Sequence, residues 1–493
     1  MVNLDDRVGI SAMSLYVPPL RVQLEDWCAW TNNAWDKVQN VVGRSFRVCA
    51  RDENVYTMAA SAVLRLINNN SVDPGRIGFL GLGTESSTDN AAGAVIVRGM
   101  VDRALEAQGL PRLARNMEVP EFKHACLGGI YGLKNALRYV SFDGAERQAI
   151  VVSADVAEYE RGSTGEQTQG AGAVAMLVER DPKLLGVDLK HAGNASDYRG
   201  PDFRKPFARH FTEGYAERTK RISDFPVFSG KYSTYSYLDE TVHAVEDMLA
   251  RQPGSHGSYY RDVKALFFHR PYNHMPIQAM SFLYVRGLAR SHHHETELRE
   301  LCDAAGVSLD ALMAETRSTP DLFQRVLDGN AADDPYAITS AVANALRKRP
   351  SFRELLQEKM GLGVESMRDL GNLYTAALPA WIAAGFEEAA ERDLDLDGPM
   401  VAVGYGSGDA AEAIPMAAAP GWQPAAKQIG FRRALADAVD LNREQYEALH
   451  DGAEVPGLAA RKPGGFRIAR VGSTYEEGFQ DLGVEYYEYV LGS

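Results

Sequence analysis

Phe122-Lys123-His124-Ala125-Cys126-Leu127-Gly128-Gly129 is the stretch on which the reading of this chain turns. Ahead of it, Val119-Pro120-Glu121-Phe122 is β-like, because Pro120 disfavours helix at its N-terminal neighbour. Behind it, Ile130, Leu133, Leu137 and Val140 recur at helical spacing. Cys126 therefore lies at or near a helix N-terminus, where unpaired N–H groups and the helix dipole favour a thiolate. Gly128 and Gly129 are expected to leave room for an approaching substrate. The plain alternative is a buried, inert cysteine in a strand–helix turn.

The order around this turn occurs twice. In the first half, a strand over 7–17 ends at Pro18-Pro19, and helices are predicted over 24–35 and 56–66. Asp73-Pro74-Gly75 is a turn. A buried strand over 77–82 runs into Gly83-Thr84-Glu85-Ser86-Ser87, placing Glu85 at a strand's C-terminal end, where α/β folds put chemistry. A strand over 148–154 then ends in Asp155. In the second half, a strand over 263–268 ends in His269-Arg270-Pro271-Tyr272. Gly371-Asn372-Leu373-Tyr374-Thr375 opens a helical stretch, and a strand over 400–403 ends in Gly404-Tyr405-Gly406-Ser407-Gly408. The repeat predicts a duplicated α/β chain, two lobes facing each other across one site. The first lobe contributes Glu85 and Cys126, the second His269 and Asn372. The expected division is 1–180, 181–430 with a helical insertion at 291–360, and a C-terminal extension at 431–493 packed on the core.

Composition narrows the function classes. The chain has 493 residues, 45% apolar and 24% charged, enough for a large core. Its net charge of −14 argues against nucleic acid or an anionic membrane as the main partner. Cys28, Cys49, Cys126 and Cys302 are scattered, and form neither a disulfide framework nor a CxxC metal site. Residues 1–7 are acidic with no apolar run after them, and no stretch is long enough to span a bilayer, so a reducing cytoplasm is expected. No metal is expected. His292-His293-His294 cannot all face one ion from a helix, and Asp393-Leu394-Asp395-Leu396-Asp397-Gly398 lacks the last acid of a calcium loop. Residues 254–258 read as a loop.

Seven segments in register resemble the 3-hydroxy-3-methylglutaryl-CoA synthase family of thiolase-like condensing enzymes. Gly83-Thr84-Glu85-Ser86 is similar to the segment bearing that family's catalytic glutamate, and His124-Ala125-Cys126 to its nucleophile segment. Ser153-Ala154-Asp155-Val156-Ala157-Glu158-Tyr159 and Gln167-Thr168-Gln169-Gly170-Ala171-Gly172-Ala173-Val174-Ala175-Met176-Leu177 resemble its next blocks. Phe268-His269-Arg270-Pro271-Tyr272 resembles its histidine segment, and Gly371–Thr375 and Gly404–Gly408 complete the set. The resemblance runs to about residue 420, outside the insertion.

The resemblance implies a duplicated five-layer αβαβα fold, a homodimer, and condensation of an acetyl thioester with a 3-ketoacyl thioester such as acetoacetyl-CoA. Cys126 would hold the acetyl group, because a thiolate forms acyl intermediates readily. Glu85 would remove the methyl proton, which requires a carboxylate raised toward neutrality. His269 would donate to the acceptor's ketone oxygen. The N–H of Cys126 and one in the Gly406-Ser407-Gly408 turn would serve the thioester oxygen. Thr168, Asn372, Tyr374, Gly406 and Ser407 are implied to bind substrate, with Asp155 and Tyr159 behind them. CoA thioesters are substrates here, and no separate cofactor is implied.

Three departures from the family bear on the carrier. Leu127-Gly128-Gly129-Ile130 follows the cysteine, closer to ketoacyl-carrier-protein synthase III. His274 stands where the family has a lysine for the CoA phosphates, and a histidine is a weaker, pH-dependent partner. Ala377 replaces a common serine. An acyl carrier protein is therefore an alternative to CoA, and β-branching in polyketide synthesis an alternative to the mevalonate route to isoprenoids. A decarboxylative synthase III-like enzyme is the other catalytic reading, but that group has no counterpart of Glu85. A non-catalytic acyl binder would not need all four site residues.

Overall fold

Strands with both faces covered carry near-continuous apolar runs, and this chain has several. In this computed structural model, which describes residues 8–214, 225–252, 256–458 and 465–491, the first twelve strands are β1 (Val8–Tyr16), β2 (Leu20–Gln23), β3 (Ser45–Val48), β4 (Ile77–Gly83), β5 (Glu121–Phe122), β6 (Gln148–Ala157), β7 (Gly170–Arg180), β8 (Leu185–Val187), β9 (Gly193–Ser196), β10 (Ala265–Phe268), β11 (Pro399–Gly406) and β12 (Ala410–Ala418), of which β1, β4, β6 and β10 are such runs. Residues 1–7, Gly254 and Ser255 lie outside the described residues.

Ten strands form one sheet in the order β10-β11-β12-β8-β1-β7-β6-β4-β5, with β9 on β12. Each half repeats a pattern. In the first, β4 and β6 are parallel and β6 turns antiparallel into β7. In the second, β10 and β11 are parallel and β11 turns antiparallel into β12. The lobes are not merely apposed, as the duplication alone suggested. Short β8 pairs with β1 through Gly9–Gly186 and with β12 through Met416–Val187, and so fuses the halves.

The period of two along β6 sorts the layers. Ala149 and Val151 face the helix Gly128–Ser141, whereas Ile150 and Val152 face the helices Val55–Asn69 and Gly93–Ala107. In the second half, Lys231–Ala250 packs on β9, β11 and β12, and Ala377–Glu391 on β10 and β11. Gly128–Ser141 and Ala377–Glu391 share the central apolar cluster, which gives helix–sheet–helix–sheet–helix layering. Lys134 on the first of these donates to Glu412 on β12 at 2.6 Å, a buried ion pair between halves.

Several local expectations change. The stretch 24–35 is two helices, Leu24–Thr31 and Trp35–Val41, because Asn32 takes a left-handed conformation with φ 57° that asparagine tolerates. The strand predicted over 148–154 continues through Asp155 to Ala157, because the ladder with β7 persists through Asp155–Gly172. His256–Asp262 is helical and packs against the helix Met275–Ala289, so the described part of the 254–258 loop is helix. Residues 291–360 form the helices Glu295–Ala305, Leu309–Glu315, Leu322–Leu327, Ala337–Lys348 and Pro350–Met360. Beyond 431, Val439–Asp440 pairs with β2, and the hairpin Phe466–Val471 and Glu485–Tyr489 lies against Val55–Asn69. Among the described residues no helix is long and apolar enough to cross a membrane.

Candidate active site

β4 ends at Gly83 against the start of the helix Gly128–Ser141. A Cβ on Gly83 would sit 2.3 Å from the Gly129 Cα, and one on Gly129 would sit 2.0 Å from the Ser153 hydroxyl oxygen. These glycines let helix and sheet touch. They do not open space for a substrate, contrary to the expectation for Gly128 and Gly129. The contact brings the residue after Thr84 beside the nucleophile turn. Glu85 Oε2 lies 3.9 Å from the Cys126 sulfur. Ala125, just before the cysteine, has φ 40°, a conformation costly for a residue with a side chain and common at functional turns.

Burial sets the protonation of this pair. It pushes the Glu85 carboxyl up to about 7, with Lys205 pulling the other way and Asp155 adding to the rise. It also holds the Cys126 thiol well above its ordinary value, and the negative charges of Glu85 and Asp155 add to that. The resting cysteine is therefore a thiol, not the thiolate that its place before a helix suggested. It precedes the first helical residue, Gly128, by two positions and is 7% exposed, so desolvation outweighs the dipole. A base with a pKa near 7 beside a thiol can take its proton as a thioester is attacked.

Asp155, at the far end of β6, organises the loop that carries Glu85. Its Oδ1 accepts from the Thr84 hydroxyl at 2.9 Å, the Glu85 N–H at 2.8 Å and the Ser86 hydroxyl at 2.8 Å. Its Oδ2 accepts from the Thr375 N–H at 2.9 Å and the Thr375 hydroxyl at 2.5 Å. Thr375 follows Asn372, whose side-chain oxygen accepts from the Tyr374 N–H at 2.9 Å and whose own N–H donates to the Thr168 carbonyl at 2.9 Å. Gly371 begins this turn with φ 75°, where a Cβ would fall 1.7 Å from the Gln169 carbonyl oxygen. Asn372 and Thr168 thus shape the turn that presents Tyr374.

Aromatic rings wall the sulfur. Cys126 clusters with Ala157, Tyr159 and Tyr374, with Phe203 and Phe228 packed against them. Tyr159 lies 6.3 Å from Tyr374 and 5.6 Å from Phe228 between ring centroids. Burial raises the Tyr159 and Tyr374 hydroxyls further above their ordinary value, so both stay neutral donors.

His269 follows β10, where its N–H donates to the Val403 carbonyl at 2.7 Å and its ring stacks 6.2 Å from Tyr405. Burial lowers it to about 3, so the imidazole is neutral at working pH. Tyr405, on which it stacks, precedes Gly406 at the end of β11. A Cβ on Gly406 would lie 2.5 Å from the His124 carbonyl oxygen, so the strand end rests on the cysteine turn. Of the expected oxyanion donors in the Gly406-Ser407-Gly408 turn, the Gly408 N–H is taken by Asp409 at 2.5 Å, which leaves that of Ser407 as the candidate. His274 keeps its backbone N–H on the Val41 carbonyl at 3.0 Å, and burial together with nearby Arg347 lowers its pKa.

Sequence reasoning missed Lys205, Phe203 and Phe228. Lys205 Nζ lies 3.2 Å from Glu85 Oε1 and 5.1 Å from the Tyr374 ring centroid. Arg204-Lys205 between Pro201 and Pro206 is a basic pair in an irregular loop, a weak signal with no period. Among the described residues, no group of three or more His, Cys, Asp and Glu side chains is arranged to hold a metal ion.

The family description "Hydroxymethylglutaryl-coenzyme A synthase N terminal" matches residues 4–183, the part that carries Glu85, Cys126 and Asp155. The hydroxymethylglutaryl-CoA synthase of Haloferax volcanii is 26% identical over 402 residues, 81% of this chain and 80% of that protein. The solved structure of MvaS in complex with 3-hydroxy-3-methylglutaryl coenzyme A is 26% identical, with a TM-score of 0.73 over 98% of this chain and 99% of that one. The curacin pathway HMG synthase in complex with holo donor-ACP shares the fold, with a TM-score of 0.70 over 98% and 100% of the two chains at 20% identity. With the thiolase-like layering and the Glu85–Cys126 pair, these matches make the chain similar to hydroxymethylglutaryl-CoA synthases over most of its length.

Proposed function

We propose that this protein condenses an acetyl thioester with a 3-ketoacyl thioester of the acetoacetyl type, giving a 3-hydroxy-3-methylglutaryl thioester through an acetyl-cysteine. The observation that carries the reading is a carboxyl with a pKa of about 7, one oxygen of which lies 3.9 Å from the Cys126 sulfur.

Three steps use this pair. In the first, the Cys126 sulfur attacks the acetyl carbonyl while Glu85 takes the thiol proton. The donor's carbon–sulfur bond breaks, and its thiolate takes that proton back from Glu85. In the second, ionised Glu85 removes a proton from the acetyl methyl. The enolate attacks the acceptor's ketone carbon, and the neutral His269 imidazole donates to the oxygen that becomes the tertiary alkoxide. Glu85 returns its proton to that oxygen. In the third, water adds to the enzyme thioester; one of its protons goes to the departing Cys126 sulfur, restoring the thiol, and the other passes to solvent as the new carboxylic acid ionises. Desolvation by the Tyr159, Phe203 and Tyr374 rings strengthens each electrostatic contact in these steps.

Intact-mass measurement after incubation with acetyl-CoA, an acetyl-carrier protein and malonyl-CoA in separate tubes tests the reading. Acetyl-CoA is expected to add one acetyl group to the wild type and none to Cys126→Ala. Acetylation by the carrier protein alone moves the assignment to β-branching. Label on Cys126→Ala overturns it. The family resemblance also favours a homodimer, and the four free cysteines are in keeping with a reducing cytoplasm. Sedimentation at micromolar concentration tests the dimer, and a monomer there defeats it.

A further inference from the structure

We propose that Lys205 is the positioning residue of Glu85: its ammonium grips one carboxylate oxygen and turns the other toward the Cys126 sulfur. The proposal rests on the condensation reading and names a residue which that reading does not use.

The geometry is specific. Lys205 Nζ stands 3.2 Å from Glu85 Oε1 and 3.4 Å from the Glu85 carbonyl oxygen, while Glu85 Oε2 faces the sulfur. The cation also lies over the Tyr374 ring, a favourable contact away from water. The side chains of Lys205 and Glu85 are only 18% and 6% exposed, so solvent screens their attraction little.

The loop that delivers Lys205 is held at both ends of its approach. Arg199 is buried among Asp239, Glu240 at 2.6 Å, Asp197 at 3.1 Å and Asp409 at 3.5 Å. Arg204 and Val227 exchange two backbone hydrogen bonds, at 2.8 and 2.7 Å, one residue before Lys205. Phe203, with φ 38°, turns the chain between them and sets its ring 5.7 Å from Tyr374. Nothing about a surface lysine needs such anchoring. A lysine that must meet one carboxylate does.

The electrostatic consequence follows from what faces Glu85. Burial and the Asp155 charge favour its protonated form, Lys205 opposes them, and the Cys126 thiol is the remaining contact, with the neutral hydroxyls of Tyr159 and Tyr374 nearby. Without Lys205, desolvation acts unopposed and the carboxyl titrates higher. Each unit of rise leaves about tenfold less ionised base on the acid side. The same cation also favours the thiolate of Cys126.

The test compares the wild type with Lys205→Met and Lys205→Arg. Condensation rate and the rate of Cys126 alkylation by iodoacetamide are measured from about pH 6 to 9.5, with thermal unfolding as the check on folding. Lys205→Met is expected to condense at least ~10-fold more slowly at pH 7 and to regain most of the loss near pH 9, because Glu85 then ionises without help. Its alkylation profile should move up in pH as well. Lys205→Arg should keep the wild-type profile. A loss equal at every pH, or an unmoved alkylation profile in folded Lys205→Met, overturns the proposal. A wild type that alkylates at Cys126 but never condenses overturns the function reading instead, and leaves the alkylation comparison to decide the role of Lys205.

Discussion

Asp155 and Thr375 meet twice, through the Thr375 N–H at 2.9 Å and its hydroxyl at 2.5 Å, on the same carboxylate oxygen. The residues are 220 positions apart. One lies near the end of a strand of the first repeat and the other in the helical turn of the second. The other Asp155 oxygen holds the Glu85 loop, so one buried carboxyl fixes Glu85 relative to the Asn372 turn.

Replacing Thr375 with valine keeps the shape and removes a donor shared by Asp155 and the Gly83 carbonyl. The loss should cost about 1–3 kcal/mol, the penalty for a buried acceptor left unmet. Condensation should fall with it, because the Glu85 loop loses its rigid anchor. Urea unfolding and steady-state rates read both. A variant matching the wild type in midpoint and rate defeats the assignment.

Glu85→Gln separates the two half-reactions. The change removes the base, which slows attack by the thiol, but it also removes a negative charge that holds the thiol protonated. The two effects oppose, so acetyl-enzyme should still accumulate. Condensation has no such compensation and should drop by at least ~10²-fold. Mass spectrometry of the acetyl-enzyme beside product formation gives the answer. Restoration of condensation by a malonyl donor would transfer the chain to decarboxylative chemistry.

The same substitution has a stability signature. Glu85 titrates at about 7 folded against an ordinary 4.5, so the native state holds its proton more tightly than the unfolded chain. The associated stability is fully present below about pH 4.5 and is lost as pH rises through about 7, a change of about 3 kcal/mol. Glu85→Gln carries no such term. Its unfolding free energy relative to wild type should therefore improve on going from pH 5 to pH 8. A constant difference between the two pH values contradicts a raised carboxyl.

Lys134 and Glu412 offer a test of the joint between repeats. Truncating one partner of a buried ion pair costs about 3–5 kcal/mol, because the other charge stays buried alone. Lys134→Met should show that loss, and Lys134→Met with Glu412→Leu should recover most of it. Denaturant titration of the two variants decides. Equal losses would mean that the apolar contacts of the Gly128–Ser141 helix, not the pair, hold the halves.

The repeated order of strand, polar residue and helix was legible because each part is local. Apolar runs make the strands, helical spacing follows Cys126 and Asn372, and Glu85 and His269 stand at strand ends whatever the rest of the chain does. The two pairs were visible for that reason, whereas the αβαβα layering came from the family resemblance. Burial and long-range pairing decided the remainder. Position before a helix pointed to a thiolate at Cys126, but the rings of Tyr159, Tyr374 and Phe203 arrive from segments distant in sequence and keep it a thiol. Lys205 lies 120 residues from Glu85 in a loop without period, so no local pattern announced it. A charge state depends on which distant groups surround it and how much water they exclude, and only the folded chain specifies that.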